Sequence, residues 1–300
     1  MACKGRHTPL GFKIQKEEIQ MRNLKRALSL ALAAIMLIGM MVVSASAVSY
    51  NDLTDKDQIV NKDAVSMLVS LGIIEGKPDG SYAPTENVDR AQMAKMLSVI
   101  MNKGVDNSAL YQSVNSGLTD ITSHWAKGHI NYCYTTGIIA GRGNGKFDPS
   151  ATVTALEAAK MLLVAVGYDP KIEGFEGADW AINVSVRADE QGIFEGFTKD
   201  LSAPLNRDDA ALLIYNALDV EMIQSYTTNN YPIAYSDHRT ILADKYGVIK
   251  VQGVVVANEW ASLASDDGDA ALKEGKTTIY NGEGIFSTTG NTTVSKEDAS

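Results

Sequence analysis

Between residues 50 and 220 the apolar positions recur at helical spacing, in paired stretches separated by turn-rich loops. In 63–71, Ala64, Met67, Leu68 and Leu71 share one face, and 125–136 and 180–191 are its counterparts. Each is followed by a second stretch. In 88–101, Met93, Met96, Leu97 and Ile100 form an apolar face; in 153–166, Ala158, Met161, Leu162 and Ala165 do the same; a third run ends at Leu218. The methionines at these positions read as core filler. Beyond about residue 221 the texture changes. Residues 248–256 and 277–280 are candidate strands, Asn281-Gly282 has the form of a hairpin turn, and the polar stretch 288–300 reads as a linker or an unfinished domain. The expected fold class is mainly α, with a small β-rich segment after it.

The helical stretches belong to an internal repeat. Gly72-Ile73-Ile74-Glu75-Gly76 leads to Pro84, Gly137-Ile138-Ile139-Ala140-Gly141 to Pro149, and Gly192-Ile193-Phe194-Glu195-Gly196 to Pro204, at the same spacing each time. The first Gly of each set stands where a helix ends in a left-handed cap, which costs a residue without Cβ nothing. The loops after the first two carry turn residues and then Tyr82 or Phe147, expected to plug the loop onto the core. The second helices open with Asp89, Thr154 and Asn206 as N-caps and Gln92, Glu157 and Asp209 three residues on, the form of a capping box.

The N-terminus reads as an address. Residues 21–47 combine a basic start at Arg22, Lys25 and Arg26, an apolar run and the small-x-small site Ala45-Ser46-Ala47, the pattern of a cleaved signal peptide. The apolar run, of about 17 residues, is marginal for a membrane span. Residues 1–20 do not fit this pattern and are expected to be a spurious extension upstream of a true start at Met21. Repeats are expected at 50–104, 117–168 and 178–220, and a β-rich module or the start of a further domain at 221–300.

Charge narrows the function. The chain carries a formal -9, and 27 Lys+Arg stand against 36 Asp+Glu. Most of the basic excess lies before residue 48, so the remainder is more acidic still and a poor nucleic-acid binder. Two cysteines, Cys3 and Cys133, offer neither a disulfide framework nor a thiolate metal site, and Cys133 reads as a small buried residue. His7, His124, His129 and His238 have no sequence-visible triad or metal partners, and the Asp79-Gly80 and Asn144 to Asp148 loops lack the carboxylates of an EF-hand. No catalytic residues, cofactor or metal is expected.

In order, these residues resemble the S-layer homology (SLH) family. The second copy keeps Asp120-Ile121, His124-Trp125-Ala126 and Phe147-Asp148-Pro149; the first keeps Tyr50-x-Asp52-Leu53, Asp79-Gly80 and Tyr82-x-Pro84; the third keeps Asp179-Trp180-Ala181. The resemblance implies three repeats in a pseudo-threefold helical assembly whose grooves bind secondary cell-wall polysaccharide, often pyruvylated. It further implies a secreted protein held without covalent bonds at the cell wall or S-layer, with S-layer or other surface proteins as possible neighbours and no membrane span after signal cleavage. The alternatives are a structural lattice subunit and the anchor of a longer wall enzyme.

Arg90 and Arg207 fall at the first helical position, beside free backbone N–H groups and the positive helix end, a placement that suits a glycan carboxylate. Trp125 and Trp180 are read first as core residues where repeats meet, and second as platforms for a sugar ring. Gly76, Gly141 and Gly196 would let backbone approach the glycan, although tight turns account for them equally well. Ala155 stands where the second copy should carry its Arg, so that copy's groove is expected to be weak, leaving one or two competent grooves.

Overall fold

Three helix pairs follow the apolar pattern: α1 (Lys62–Ser70) with α2 (Arg90–Met101), α3 (Lys127–Thr135) with α4 (Ala155–Val166), and α5 (Trp180–Glu190) with α6 (Arg207–Ala217). The computed structural model describes residues 49–250, 253–258, 260, 262–263, 272–273, 276–280, 285–289 and 293–297. The extension and signal peptide expected before residue 48, and the Asn281-Gly282 turn, lie outside them.

The first helix of each pair ends the same way. Gly72, Gly137 and Gly192 adopt φ of 70°, 79° and 69°. The next N–H then reaches back five residues, from Ile73 to the Leu68 carbonyl (2.9 Å), Ile138 to Cys133 (2.9 Å) and Ile193 to Ala188 (2.8 Å). This is the Schellman closure, and the three isoleucines it turns inward are buried.

The second helices begin at a shared axis. The Val88 N–H donates to the Leu205 carbonyl (2.8 Å), Leu205 to Val153 (2.8 Å) and Val153 back to Val88 (2.9 Å), a closed ring of three backbone bonds. Asp89 and Thr154 form reciprocal capping boxes with Gln92 and Glu157. The third cap is half formed: Asn206 accepts the Asp209 N–H, while the Asp209 carboxylate pairs with Lys199.

Two parts of the repeat register differ from expectation. The Ala91 N–H donates to the Pro149 carbonyl (2.9 Å) and Asp208 to Pro84 (3.1 Å), but Leu156 donates to Leu201 (3.1 Å). Leu201, not Pro204, is the third equivalent, so the identical proline spacing in the third copy is coincidental. That loop is three residues shorter ahead of the axis. The first copy slips by three residues as well. Asp120 accepts the N–H groups of Phe147 and Asp148, and its counterpart, accepting those of Tyr82 and Ala83 at 2.7 Å each, is Asp55 rather than Asp52. Tyr82 and Phe147 are fully buried plugs.

The core is continuous. Leu68, Met93, Leu97, Ile130, Leu163, Val184 and Ile214 are among its buried members, and Cys133 lies inside it. Residues 221–248 remain packed on the repeats instead of leaving them. Strands β1 (Ile223–Tyr226) and β2 (Pro232–Ala234) pair, and α7 (Ile241–Tyr246) buries Ile241 and Leu242. Tyr226 donates to Glu173 (2.9 Å) and Tyr246 to the Ile100 carbonyl (3.3 Å). After it come β3 (Val254–Ala257), β4 (Lys276–Tyr280), β5 (Ile285–Thr289) and β6 (Thr293–Glu297), an antiparallel sheet in sequence order. The end of β5 and the whole of β6 fall in the stretch 288–300 expected to be a polar linker or unfinished domain. Its Thr and Val residues favour a pleated surface despite low hydrophobicity.

Candidate functional site

Each groove is assembled from three repeats. In groove A the loop Ile73 to Pro78 and the α2 residues Gln92, Lys95 and Met96 form the floor, Trp125 comes from the second repeat and Arg207 from the third, around a cavity of about 270 Å³. In groove B the floor is Ile138, Ala140, Gly141 and Arg142 with Glu157, Lys160 and Met161 of α4, Trp180 comes from the third repeat and Arg90 from the first, around about 400 Å³. Both are large enough for a sugar unit with polar groups converging on it.

The arginines act across the repeat boundary. The Arg90 Nε donates to the Phe147 carbonyl (2.9 Å) and its Nη2 to Ala140 (2.8 Å), with the guanidinium 4.4 Å over the Phe147 ring. Arg207 repeats the arrangement with Tyr82 (2.7 Å), Glu75 (3.4 Å) and the Tyr82 ring at 4.8 Å. Each therefore pins the next repeat's plug and Gly-Ile loop while facing its groove. Burial, and then the Arg142 charge, push the Arg90 guanidinium down to about 10.

The helix starts are not open donors, contrary to expectation. The Arg90 N–H is taken by the Ala151 carbonyl, Ala91 by Pro149 and Gln92 by the Asp89 carboxylate. Cross-repeat bonding at the axis consumes the groups that a lone helix would leave free. An anion in groove B therefore cannot use these helix-start N–H groups.

The tryptophans divide. Trp125 is 56% exposed, so it is not a core residue; Trp180 is partly buried, with the Lys160 ammonium 5.6 Å over its ring. Both present a face to a groove. Gly76 and Gly141 line the two grooves, and Gly196 sits in the third loop with φ of 76°. At Gly141 an added Cβ would lie 2.8 Å from the Lys146 carbonyl. The close approach there is to the repeat's own hairpin, closed by the Arg142 N–H on Lys146.

The third interface is different in kind. Counting from the Gly caps and helix starts, the Trp position holds Val60, the Arg position Ala155, the loop cation position (Lys77, Arg142) Phe197 and the α2/α4 lysine position Leu212. Val60 and Asn61 are held there by the Asp208 carboxylate, at 3.2–3.3 Å to their N–H groups. Ala155 thus depletes the third repeat's interface, not the second's, because each repeat lends its Arg position to its successor. Sequence reading passed over Lys77, Lys95, Arg142 and Lys160. Their signal was present in the repeat alignment, five residues after each helix start and one after each second loop Gly.

Among the described residues no group of three or more His, Cys, Asp or Glu is placed to hold a metal ion, and no helix is long and apolar enough to cross a membrane. The Cys133 thiol contacts the Ala94 carbonyl (3.4 Å), and burial pushes it well above the ordinary thiol range.

Residues 49–94 and 117–159 match the S-layer homology domain family. These two segments are thus similar to S-layer homology repeats, and the third helix pair repeats their geometry beyond the matched residues. The chain is 27% identical over 270 residues to a cell surface protein of Thermoanaerobacter kivui, covering 89% of this chain and 32% of that protein. It is 33% identical over 113 residues to an S-layer protein of Bacillus licheniformis, 38% of this chain and 12% of the other. An exoglucanase of Acetivibrio thermocellus is 27% identical over 192 residues, 59% of this chain and 17% of that enzyme. The chain thus spans about a third or less of these curated relatives.

Proposed function

We propose that this chain is a secreted, non-enzymatic anchor that attaches to the bacterial cell wall or surface layer by binding secondary cell-wall polysaccharide through grooves A and B. The observation that carries this reading is the repetition of one groove twice, each with an Arg, a Lys, a second loop cation and a Trp supplied by three different repeats. Trp offers an apolar face to a sugar ring, and guanidinium and ammonium groups make charge-assisted bonds to acidic substituents. A locally cationic groove serves an acidic glycan despite the chain's net negative charge. Pyruvylated sugar fits this chemistry because its ketal carries a carboxylate.

The S-layer and cell-surface names of the relatives favour a surface-layer setting, with other surface proteins as neighbours. A structural lattice subunit is the second reading, supported by those names. The exoglucanase relative is consistent with such repeats serving as the anchor of a longer wall enzyme. Pull-down of the purified chain with native walls, and with walls stripped of secondary polysaccharide, tests the proposal. Retention on native walls alone is expected; equal retention on stripped walls would refute polysaccharide recognition.

A further inference from the structure

Grooves A and B are built alike but are not electrostatically alike, and the difference starts at one loop position. The fourth residue of the Gly-Ile loop is Glu75 in groove A and Ala140 in groove B. Glu75 reaches across to the lysine of the second helix, giving a Lys95–Glu75 ion pair of 2.9 Å. The other lysine of groove A, Lys77, is paired with Glu86. Groove A thus satisfies both of its ammonium groups internally.

In groove B the loop cation is satisfied, Arg142 lying 2.6 Å from Glu157. The helix lysine is not. Ala140 has no carboxylate to offer, and among the described residues none lies within 4.0 Å of the Lys160 ammonium. Glu176, exposed and also lining the cavity, stays beyond that distance. Lys160 stands over the Trp180 ring, 5.6 Å from its centroid, and both residues line the groove. Nearby, Arg90 spends its Nε and Nη2 on carbonyls, while Nη1 donates to no atom of the described residues and is not sealed from solvent. Burial, joined by the Arg90 charge, holds the Lys160 ammonium below the ordinary lysine range against the opposing pull of Glu176 and Glu157, neither of which reaches ion-pair distance. An arriving carboxylate would supply the contact ion pair that these two carboxylates do not make.

We propose that groove B takes the carboxylate-bearing residue of the wall polymer, with Lys160 and the free Arg90 nitrogen as its anion contacts, while groove A stacks a neutral residue on Trp125. This rests on the polysaccharide-binding reading above and adds a division of labour to it. Glu75 and Ala140 are then the residues that set the two specificities.

The test is titration of the full chain with purified wall polysaccharide, native and after carbodiimide-activated borohydride reduction of its carboxylates to alcohols. The wild-type chain should bind the native polymer more tightly by about tenfold or more, the range of one charge-assisted contact. Lys160→Met should close that gap by weakening only the native polymer, and Lys160→Arg, which keeps the charge, should retain most of it. Lys95→Met should leave the gap unchanged, and Glu75→Gln, which frees Lys95, should widen it. Thermal melts by circular dichroism check that each variant is folded. Equal weakening of Lys160→Met on both polymers, or closure of the gap by Lys95→Met, would overturn the assignment. A wild-type chain that binds both polymers equally removes the carboxylate proposal and leaves the anchor intact; one that binds neither removes the anchor reading itself.

Discussion

Arg90 donates to the main-chain carbonyl of Phe147 and lies 4.4 Å over the ring of that same residue, clamping backbone and side chain of the neighbouring repeat at once. Because Arg207 treats Tyr82 in the same manner, the groove-forming residues are also the inter-repeat fasteners.

Arg90→Ala should therefore lower stability as well as wall binding. It removes two charge-assisted bonds and leaves the Phe147 and Ala140 carbonyls with lost partners, at a cost of about 3 kcal/mol in urea denaturation. Arg207→Ala should cost roughly half as much, since its second bond is long at 3.4 Å. Arg90→Lys should restore little, because a single ammonium cannot span both carbonyls and stack on the ring.

The Asp120 clamp predicts acid sensitivity. Burial would raise this carboxyl, but the N–H bonds from Phe147 and Asp148 outweigh it and hold the group below its ordinary value. A depressed folded-state value stabilises the protein above the unfolded carboxylate range, and that contribution is lost as pH falls through the folded value. Asp120→Asn should flatten the loss of stability below about pH 4, measured by urea midpoints across pH.

His129 predicts a second pH effect with a different window. The ring is 4% exposed, shares a 2.6 Å hydrogen bond between its Nδ1 and the Ser98 hydroxyl, and faces Asp106 and Lys95. Burial lowers its value below the ordinary histidine range, against the opposing pull of Asp106. The unfolded chain then binds a proton that the folded one refuses, so stability is fully present above about pH 6.5 and declines as pH falls toward the folded value. His129→Gln should remove this slope; an unchanged slope would assign it elsewhere.

Two glycines separate strain from collision. At Gly128 an added Cβ would lie 2.1 Å from the Ser108 carbonyl, so Gly128→Ala must displace the 108–111 turn from α3. At Gly137 a Cβ meets nothing within 4 Å, and only φ of 79° opposes it. Gly137→Ala should cost about 1–2 kcal/mol and Gly128→Ala distinctly more, as read by thermal melts.

Much of this architecture was legible. The Gly caps, capping boxes and apolar faces are local, and their physics acts within one helical turn. The third proline was misleading because spacing along the chain cannot show that Leu201 meets Leu156 at the axis. Asp55 was overlooked for Asp52 because the clamp is recognised only by the N–H groups it accepts, 27 residues away. The handing of Arg90, Arg207 and the tryptophans to neighbouring repeats is a through-space relation. Without it Ala155 was charged to the wrong groove, and the substitutions Val60, Phe197 and Leu212 looked unconnected.

The central claim is that two grooves bind and the third interface does not. The most direct measurement is co-sedimentation with native walls of Trp125→Ala, Trp180→Ala, the double variant and Val60→Ala. The account predicts weaker retention for each single Trp variant, loss for the double variant and wild-type retention for Val60→Ala. Wild-type retention of the folded double variant would contradict it.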